Sequence, residues 1–333
     1  MMNIDHYRAQ FAQLNAKPQR ERAAAFERFA ELGWPTLRDE DWKYTNVAAL
    51  AQRAFKLAPT SLNGIDAAAM ASLALDGSHR LVFVNGRHVP GLSRIGPLPS
   101  GAHVGSLAQQ PEPMRDVEGN GFTALNAACW SDGALIDVAD GVDVEEPIHL
   151  LFINTEADLA VQPRNLIRVG ADAHVEVIEH AVGSDDAAYL SNAVTRIELG
   201  ARARVVHTQL QQEGRRASRI ADLRVEQGAD SGFSSQSIAF GALLARSDIA
   251  TRLAAPGCEA TLLGLTLAGG RQHVDHHTRI DHLQPRGTSR ELYKGVLDGA
   301  ARTVFNGRVI VHVDAQKTDA QQSNRNLLLS NQA

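Results

Sequence analysis

The chain has 333 residues, 44% of them hydrophobic, which is enough to bury one large or two moderate cores. Its formal net charge of -5 and the lack of a long Lys or Arg run argue against nucleic acid or an anionic membrane as the main partner. No apolar run approaches the roughly 18 residues of a membrane span. The start does not resemble a signal peptide, and two cysteines are too few for a disulfide framework, so we predict a cytoplasmic protein.

Residues 1–78 are predicted to form an α-helical cap. Phe26, Phe29 and Ala30 recur at helical spacing among charged residues, and Gly33 with Pro35 ends a helix. The segment Glu40–Thr45, with sequence EDWKYT, then places two aromatic rings among charges. It could offer a cation and two stacking faces to a ligand, but we favour its use as an anchor that packs the cap onto the body.

Residues 79–132 are predicted to link this cap to the body. Residues 80–91 have the pattern of a β-hairpin, with Asn85-Gly86 as a type I′ turn. Residues 96–121 are rich in Gly, Pro and polar residues, which predicts a loop. A short helix, Phe122 to Trp130, follows, and Cys129 on its apolar side is interpreted as a small buried thiol.

Residues 133–333 carry a repeat. Glycines at 141, 170, 200, 228 and 257 are separated by 29, 30, 28 and 29 residues. Gly299, 42 residues beyond Gly257, suggests that one extra strand, Ser289 to Leu297, interrupts the period. Gly and Asn-Gly turns divide the repeat into short stretches that alternate apolar and polar residues, so we predict an outgoing and a returning strand in each unit.

Two columns of residues indicate that the period is structural. The residues three before the glycines are all apolar, and those five after are apolar in all but one copy. Stacked strand coils require this register, because one coil cannot bury its own face and neighbouring coils form a continuous core. We therefore predict an all-β core built as a β-solenoid, ahead of a sandwich, whose strands would not need the fixed register.

The densest set of metal-ligand candidates lies at residues 273–282. His273, Asp275 and His277 would share one side of a strand, at steps of roughly 6 to 7 Å, and could hold zinc or another transition metal. The alternative, which we favour, is a polar ladder on the solenoid surface. Cys258, at a repeat corner, is a further metal or sulfur candidate, with a simple small-residue role as its alternative. No Walker A loop, dinucleotide-binding loop, nucleophile elbow, HExxH or CxxC motif is present.

Several strings resemble the SufB/SufD family of the SUF iron–sulfur cluster assembly system. They lie in the same order as in that family and span most of the chain: residues 40–46, 273–278, 291–295, 304–307, 315–320 and 326–330. The short cap and the EDWKYT segment favour the SufD branch over the SufB branch.

The resemblance implies a right-handed parallel β-helix and a non-enzymatic scaffold subunit. Such a subunit would pair with the SufB subunit and be coupled to the SufC ATPase in a cytoplasmic complex. It would bind no cofactor tightly and would meet an iron–sulfur cluster only transiently. The resemblance also implies further strands, a Cys, a His and an ATPase-docking helical segment beyond Ala333, for which this sequence has no counterpart. An uncapped last strand predicts edge-to-edge pairing in a homodimer.

Two enzyme classes remain as alternatives. A β-helix carbohydrate-active enzyme would need paired carboxylates or an acidic calcium site, and neither is evident in this sequence. A metal-dependent enzyme would use His273, Asp275 and His277. Metal analysis of the purified protein separates this second class from the scaffold.

Overall fold

The computed structural model describes residues 4–14, 19–57, 72–110 and 119–333. Within these ranges the helices are α1 (Ile4–Phe11), α2 (Gln19–Leu32), α3 (Ala48–Gln52) and α4 (Gly121–Cys129), with 3-10 turns at Glu40–Trp42 and Pro90–Leu92. No helix in the described ranges is long and apolar enough to cross a membrane.

Most of the described chain is β-strand. The strands are β1 (Lys56–Leu57), β2 (His79–Val84), β3 (Arg87–His88), β4 (Ala102–Ser106), β5 (Ala134–Val138), β6 (Asp143–Asn154), β7 (Leu159–Val161), β8 (Arg164–Val169), β9 (His174–Gly183), β10 (Leu190–Leu199), β11 (Arg204–Gln212), β12 (Ser218–Gln227), β13 (Gly232–Ala239), β14 (Leu244–Leu253), β15 (Glu259–Ala268), β16 (His273–His282), β17 (Thr288–Leu297), β18 (Arg302–Val311) and β19 (Asp319–Leu328).

From β8 onward the chain alternates strand by strand between two sheets. The first sheet has the order β18-β16-β14-β12-β10-β8-β5-β4, with β7 beside β10 and β1 beside β7, and the second has the order β19-β17-β15-β13-β11-β9-β6-β2-β3. Strands from successive turns pair in parallel, whereas β4 and β3 are antiparallel additions at the N-terminal ends. The result is a parallel β-solenoid of about seven turns with two main strands in each turn, which confirms the predicted solenoid over the sandwich.

The repeat is not interrupted, so the predicted extra strand was wrong. Residues 288–297 form the regular strand β17, which pairs in register with β15 and β19. Gly299 lies instead in the opposite corner of the solenoid, next to Gly270, and both have positive φ angles. The length of a turn varies, from 26 residues between the paired Asp222 and Asp248 to 31 between Thr288 and Asp319. Corner glycines therefore mark the repeat only approximately.

The main core lies between the two sheets. The predicted apolar columns exist in the middle turns: Ile167, Ile197 and Val225 stack in the first sheet, and Val175, Val205 and Phe233 stack in the second. All six side chains are buried. Each such side chain contributes about 1.5–3 kcal/mol by burial, but only because the adjacent turn covers it.

The link region contributes strands to both sheets. Asn85 and Gly86 have φ angles of 47° and 78°, so the predicted hairpin turn is confirmed. Its strand β2 pairs with β6 and extends the second sheet. β4, which lies within the predicted loop 96–121, pairs with β5 and extends the first sheet. The loop prediction was therefore wrong for residues 102–106, and residues 111–118 lie outside the described residues.

The cap has an aromatic core of its own. Phe26 and Phe29 of α2 pack with Trp34, and Trp34 meets Phe122 of α4 edge-on at 5.0 Å. Gly33, with φ of 63°, ends α2 as predicted. The predicted helix Phe122 to Trp130 is confirmed, shifted by one residue, and its N-cap is Asn120. Parts of the predicted cap, residues 1–3, 15–18 and 58–71, lie outside the described residues.

Candidate functional site

The three residues predicted as metal-ligand candidates lie on the outer side of β16. His273, Asp275 and His277 alternate with Val274 and His276, which are buried towards the inside of the solenoid. The outer side is not open to solvent here, because the EDWKYT segment covers it. Asp275 is fully buried.

Asp275 is the centre of this contact. Its Oδ2 accepts a hydrogen bond from Thr45 Oγ1 and pairs with the Arg246 guanidinium at 2.8 Å. Its Oδ1 lies 3.1 Å from His277 Nε2. Burial alone would raise the pKa of Asp275, but His277, Arg246 and Thr45 together hold that pKa below its ordinary value. The carboxylate is therefore ionised, and its hydrogen bonds to Thr45 and Arg246 both fall on Oδ2, whereas Oδ1 makes no hydrogen bond with any described residue.

Arg246 joins the cap to this carboxylate. It lies on β14, pairs with both oxygens of Asp248 at 3.0 and 2.7 Å, and donates to the backbone oxygen of Asp41 at 2.7 Å. Its guanidinium lies 3.9 Å from the centroid of the Trp42 ring. Burial acts to lower the pKa of Arg246, and the two aspartates outweigh it. We call Asp41, Trp42, Thr45, Arg246 and Asp275 the clasp.

The predicted anchoring role of the EDWKYT segment is confirmed for one of its two rings. Trp42 is 3% exposed and stacks on Phe122 of α4 at 5.4 Å, so it lies between the cap core and β14. Tyr44 is 60% exposed, which does not fit an anchor, and Lys43 lies over its ring at 4.9 Å.

His273 is partly covered by the same segment. Its Nε2 lies 3.0 Å from Thr45 Oγ1. Burial, together with Arg302 and Arg246, lowers the pKa of His273 despite the nearby Asp275. In the part of the chain that the structure describes, no group of three or more His, Cys, Asp or Glu could hold a metal ion. The metal role of His273, Asp275 and His277 stays a prediction, and the geometry gives His273 and Asp275 a role in joining cap and solenoid.

Both cysteines are buried. Cys258 Sγ lies 3.1 Å from the backbone oxygen of Gly228 and 3.0 Å from that of Ala255, in a corner of the solenoid. Burial raises the pKa of the Cys258 thiol, and burial also raises the pKa of the Cys129 thiol, to about 12. Thiols in this state are poor nucleophiles and poor metal ligands.

A buried polar group inside the solenoid was missed by the sequence analysis. Glu179 on β9 accepts a hydrogen bond from Thr195 Oγ1 at 2.6 Å and lies 3.2 Å from His207 Nε2. Burial would raise the pKa of Glu179, but His207 and Thr195 hold it low. A signal was available, because Val175 and Val177 fix the inward parity of β9 and Glu179 continues it.

Arg246 was also missed, although the sequence marks it. Arg and Asp two residues apart recur on the outer side of the first sheet, as Asp222 with Arg224, Arg246 with Asp248 and Arg279 with Asp281. What the sequence does not show is that one of these arginines is covered by the cap.

Two family models together match almost the whole chain. Residues 152–333 match the model described as SUF system FeS cluster assembly, SufBD core domain, and residues 4–150 match the SufBD protein N-terminal region. The first match covers all solenoid strands from β7 to β19.

Individual relatives include proteins from both branches. An iron–sulfur cluster assembly SufBD family protein of Synechocystis sp. is 32% identical over 335 residues, covering 94% of this chain and 74% of the relative. The iron–sulfur cluster assembly protein SufD of Escherichia coli is 29% identical over 302 residues, covering 89% and 70%. The iron–sulfur cluster assembly protein SufB of Bacillus subtilis is 28% identical over 211 residues, covering 62% and 44%.

Proposed function

The chain belongs to the SufBD family, whose members act in iron–sulfur cluster assembly, and we propose that it serves there as a scaffold subunit. One observation carries the proposal: the match to the SufBD core domain, residues 152–333, coincides with the parallel solenoid described above. A scaffold needs a rigid body with long surfaces for other proteins. Seven stacked turns with paired backbones provide such surfaces.

We assign the subunit to the SufD branch. The short cap and the EDWKYT segment support this assignment, and the clasp gives that segment a structural purpose in this chain. In this proposal the partners are a SufB subunit and the SufC ATPase. SufC would hydrolyse ATP, since this sequence has no Walker A loop. The cluster is cargo that the complex holds transiently, and the complex works in the cytoplasm.

Co-purification tests the partners. The tagged 333-residue chain is expressed with its cognate SufB and SufC, with SufB alone and with SufC alone, and the mass of the eluted complexes is measured. We expect SufB and SufC to elute with the chain. If neither partner elutes with a chain whose far-UV circular dichroism shows a folded β-protein, the scaffold proposal is wrong.

Two further measurements separate the remaining alternatives. Stoichiometric zinc or iron that survives dialysis and is lost in His273→Ala and His277→Ala would favour the metal-dependent enzyme. Light scattering of the chain alone at micromolar concentration tests the predicted homodimer, and a monomer would contradict it.

A further inference from the structure

A cavity of about 710 Å³ lies between the cap and the corner of the solenoid where β16 and β18 begin. One wall is the cap segment from Tyr44 to Leu50, which follows the clasp. Leu244, Leu297 and Leu328 supply apolar surface on the solenoid side. The volume lies within the roughly 300–1,000 Å³ of sites for small molecules.

The cavity also carries the positive charge of two arginines. Arg271 and Arg302 line it beside His273, and among the described residues that line it the only carboxylate is the terminal one of Ala333. His273 and Arg302 are adjacent in the β16–β18 register. Arg302 and the His273 imidazole therefore begin neighbouring strands at the same position.

The two arginines differ from many others on this solenoid. Neither Arg271 nor Arg302 makes a side-chain ion pair or hydrogen bond with any described residue. By contrast, Arg202 pairs with Asp172 and Arg290 pairs with Asp319 at other corners. A guanidinium presents five N–H donors in a planar fork that matches carboxylate and phosphate oxygens. Here those donors remain available beside an apolar wall.

We propose that this cavity binds a small organic anion, with the acidic group at Arg271 and Arg302 and an apolar body against Leu50, Leu244 and Leu297. The shared chemistry is one carboxylate, sulfonate or phosphate attached to an aliphatic or aromatic body. Tyr44 stands at the wall with 60% of its surface exposed, so its ring is available to cover an aromatic body. This site is independent of the proposed scaffold function, because it uses neither the partners nor a cluster.

The test uses 8-anilinonaphthalene-1-sulfonate, a fluorescent anion of suitable size. Its dissociation constant is measured for the unmodified chain and for Arg271→Gln, Arg302→Gln and the double variant. The matched control is Arg286→Gln, an exposed arginine in another corner that does not line the cavity. We expect the double variant to bind at least about tenfold more weakly, since it loses both guanidinium groups that donate hydrogen bonds to the acidic group. The control should bind normally.

Competition with a second ligand tests whether the charged group of the ligand determines binding to the cavity. Decanoate should displace the dye, and 1-decanol at the same concentration should displace it much less. The proposal is overturned if the chain shows no saturable dye binding, if the double variant binds like the control, or if decanol competes as well as decanoate. Circular dichroism of each variant excludes loss of folding as the cause.

Discussion

Replacing Asp275 with Asn tests the clasp directly. The substitution keeps the shape of the side chain and removes the negative charge of the carboxylate, which Arg246, Thr45 and His277 contact. Removing one partner of a buried ion pair costs roughly 3–5 kcal/mol, because the other charge stays buried. Arg246 retains Asp248, so we expect a loss at the lower end, about 3 kcal/mol in the free energy of unfolding.

Urea unfolding followed by tryptophan fluorescence measures this loss. Trp34 and Trp42 lie in the cap core and Trp42 contacts Arg246, whereas the third tryptophan, Trp130, packs against Arg22 of α2 and against Leu135 and Leu166. The signal therefore reports the cap, its contact with β14 and the first turn of the solenoid. With a slope of about 3 kcal/mol per molar urea, the midpoint should fall by about 1 M. Far-UV circular dichroism, recorded in parallel, reports the solenoid.

The matched control is Asp172→Asn, which breaks an ion pair with Arg202 in which both side chains are more than half exposed. Solvent and salt screen such a pair, so its midpoint should not change measurably. If Asp275→Asn shifts the fluorescence midpoint no more than Asp172→Asn does, the clasp does not hold the cap and our interpretation of the EDWKYT segment is wrong.

Three further outcomes are expected. Burial lowers the pKa of His276 to about 4 in the folded chain, whereas in the unfolded chain the same side chain takes up its proton near pH 6.5. The contribution of neutral His276 to the free energy of unfolding is therefore fully present above pH 6.5, and up to about 3 kcal/mol of it is lost as the pH falls towards 4. His276→Gln should show a smaller loss in urea midpoint between pH 7 and 4.5, and an unchanged loss contradicts the assignment. Phe233→Ala should cost about 3–5 kcal/mol in urea unfolding, and Phe240→Ala, at a side chain 36% exposed, clearly less; equal losses would refute the two-sheet core. Ellman's reagent should label Cys129 and Cys258 rapidly only in urea, and rapid labelling of Cys258 in the folded chain would revive its sulfur-handling role.

The sequence was sufficient to predict the solenoid because the solenoid depends only on patterns within a strand and between adjacent turns. Alternation within a strand fixes which side chains point inward, and the repeat places equivalent residues in adjacent turns. The same logic located the hairpin at Asn85-Gly86. It failed at Gly299, because glycines occur at both corners of each turn and the corners differ in length.

The candidate site could not be predicted to the same extent. The outer position of His273, Asp275 and His277 followed from strand alternation, but Thr45, the cap partner of Asp275, lies 230 residues earlier in the chain. A repeat relates neighbouring turns only, so it does not specify which turns a cap will cover. Arg246 has the same Arg-x-Asp pattern as Arg279, and only the fold distinguishes the covered arginine from the exposed one.

The clasp also affects how the solenoid comes apart. In a stack where each turn contacts only its neighbours, the last turns can unzip without disturbing the first. Here Asp41, Trp42 and Thr45 bind β14 and β16, while α4, which packs on α2 of the cap, donates through Asn126 to the backbone of Pro163, next to β8, and of Asn192 in β10. The cap and α4 together therefore bridge several turns, and opening β14 or β16 requires the cap to release. This bridge makes unfolding of the central turns more cooperative than the repeat alone would allow.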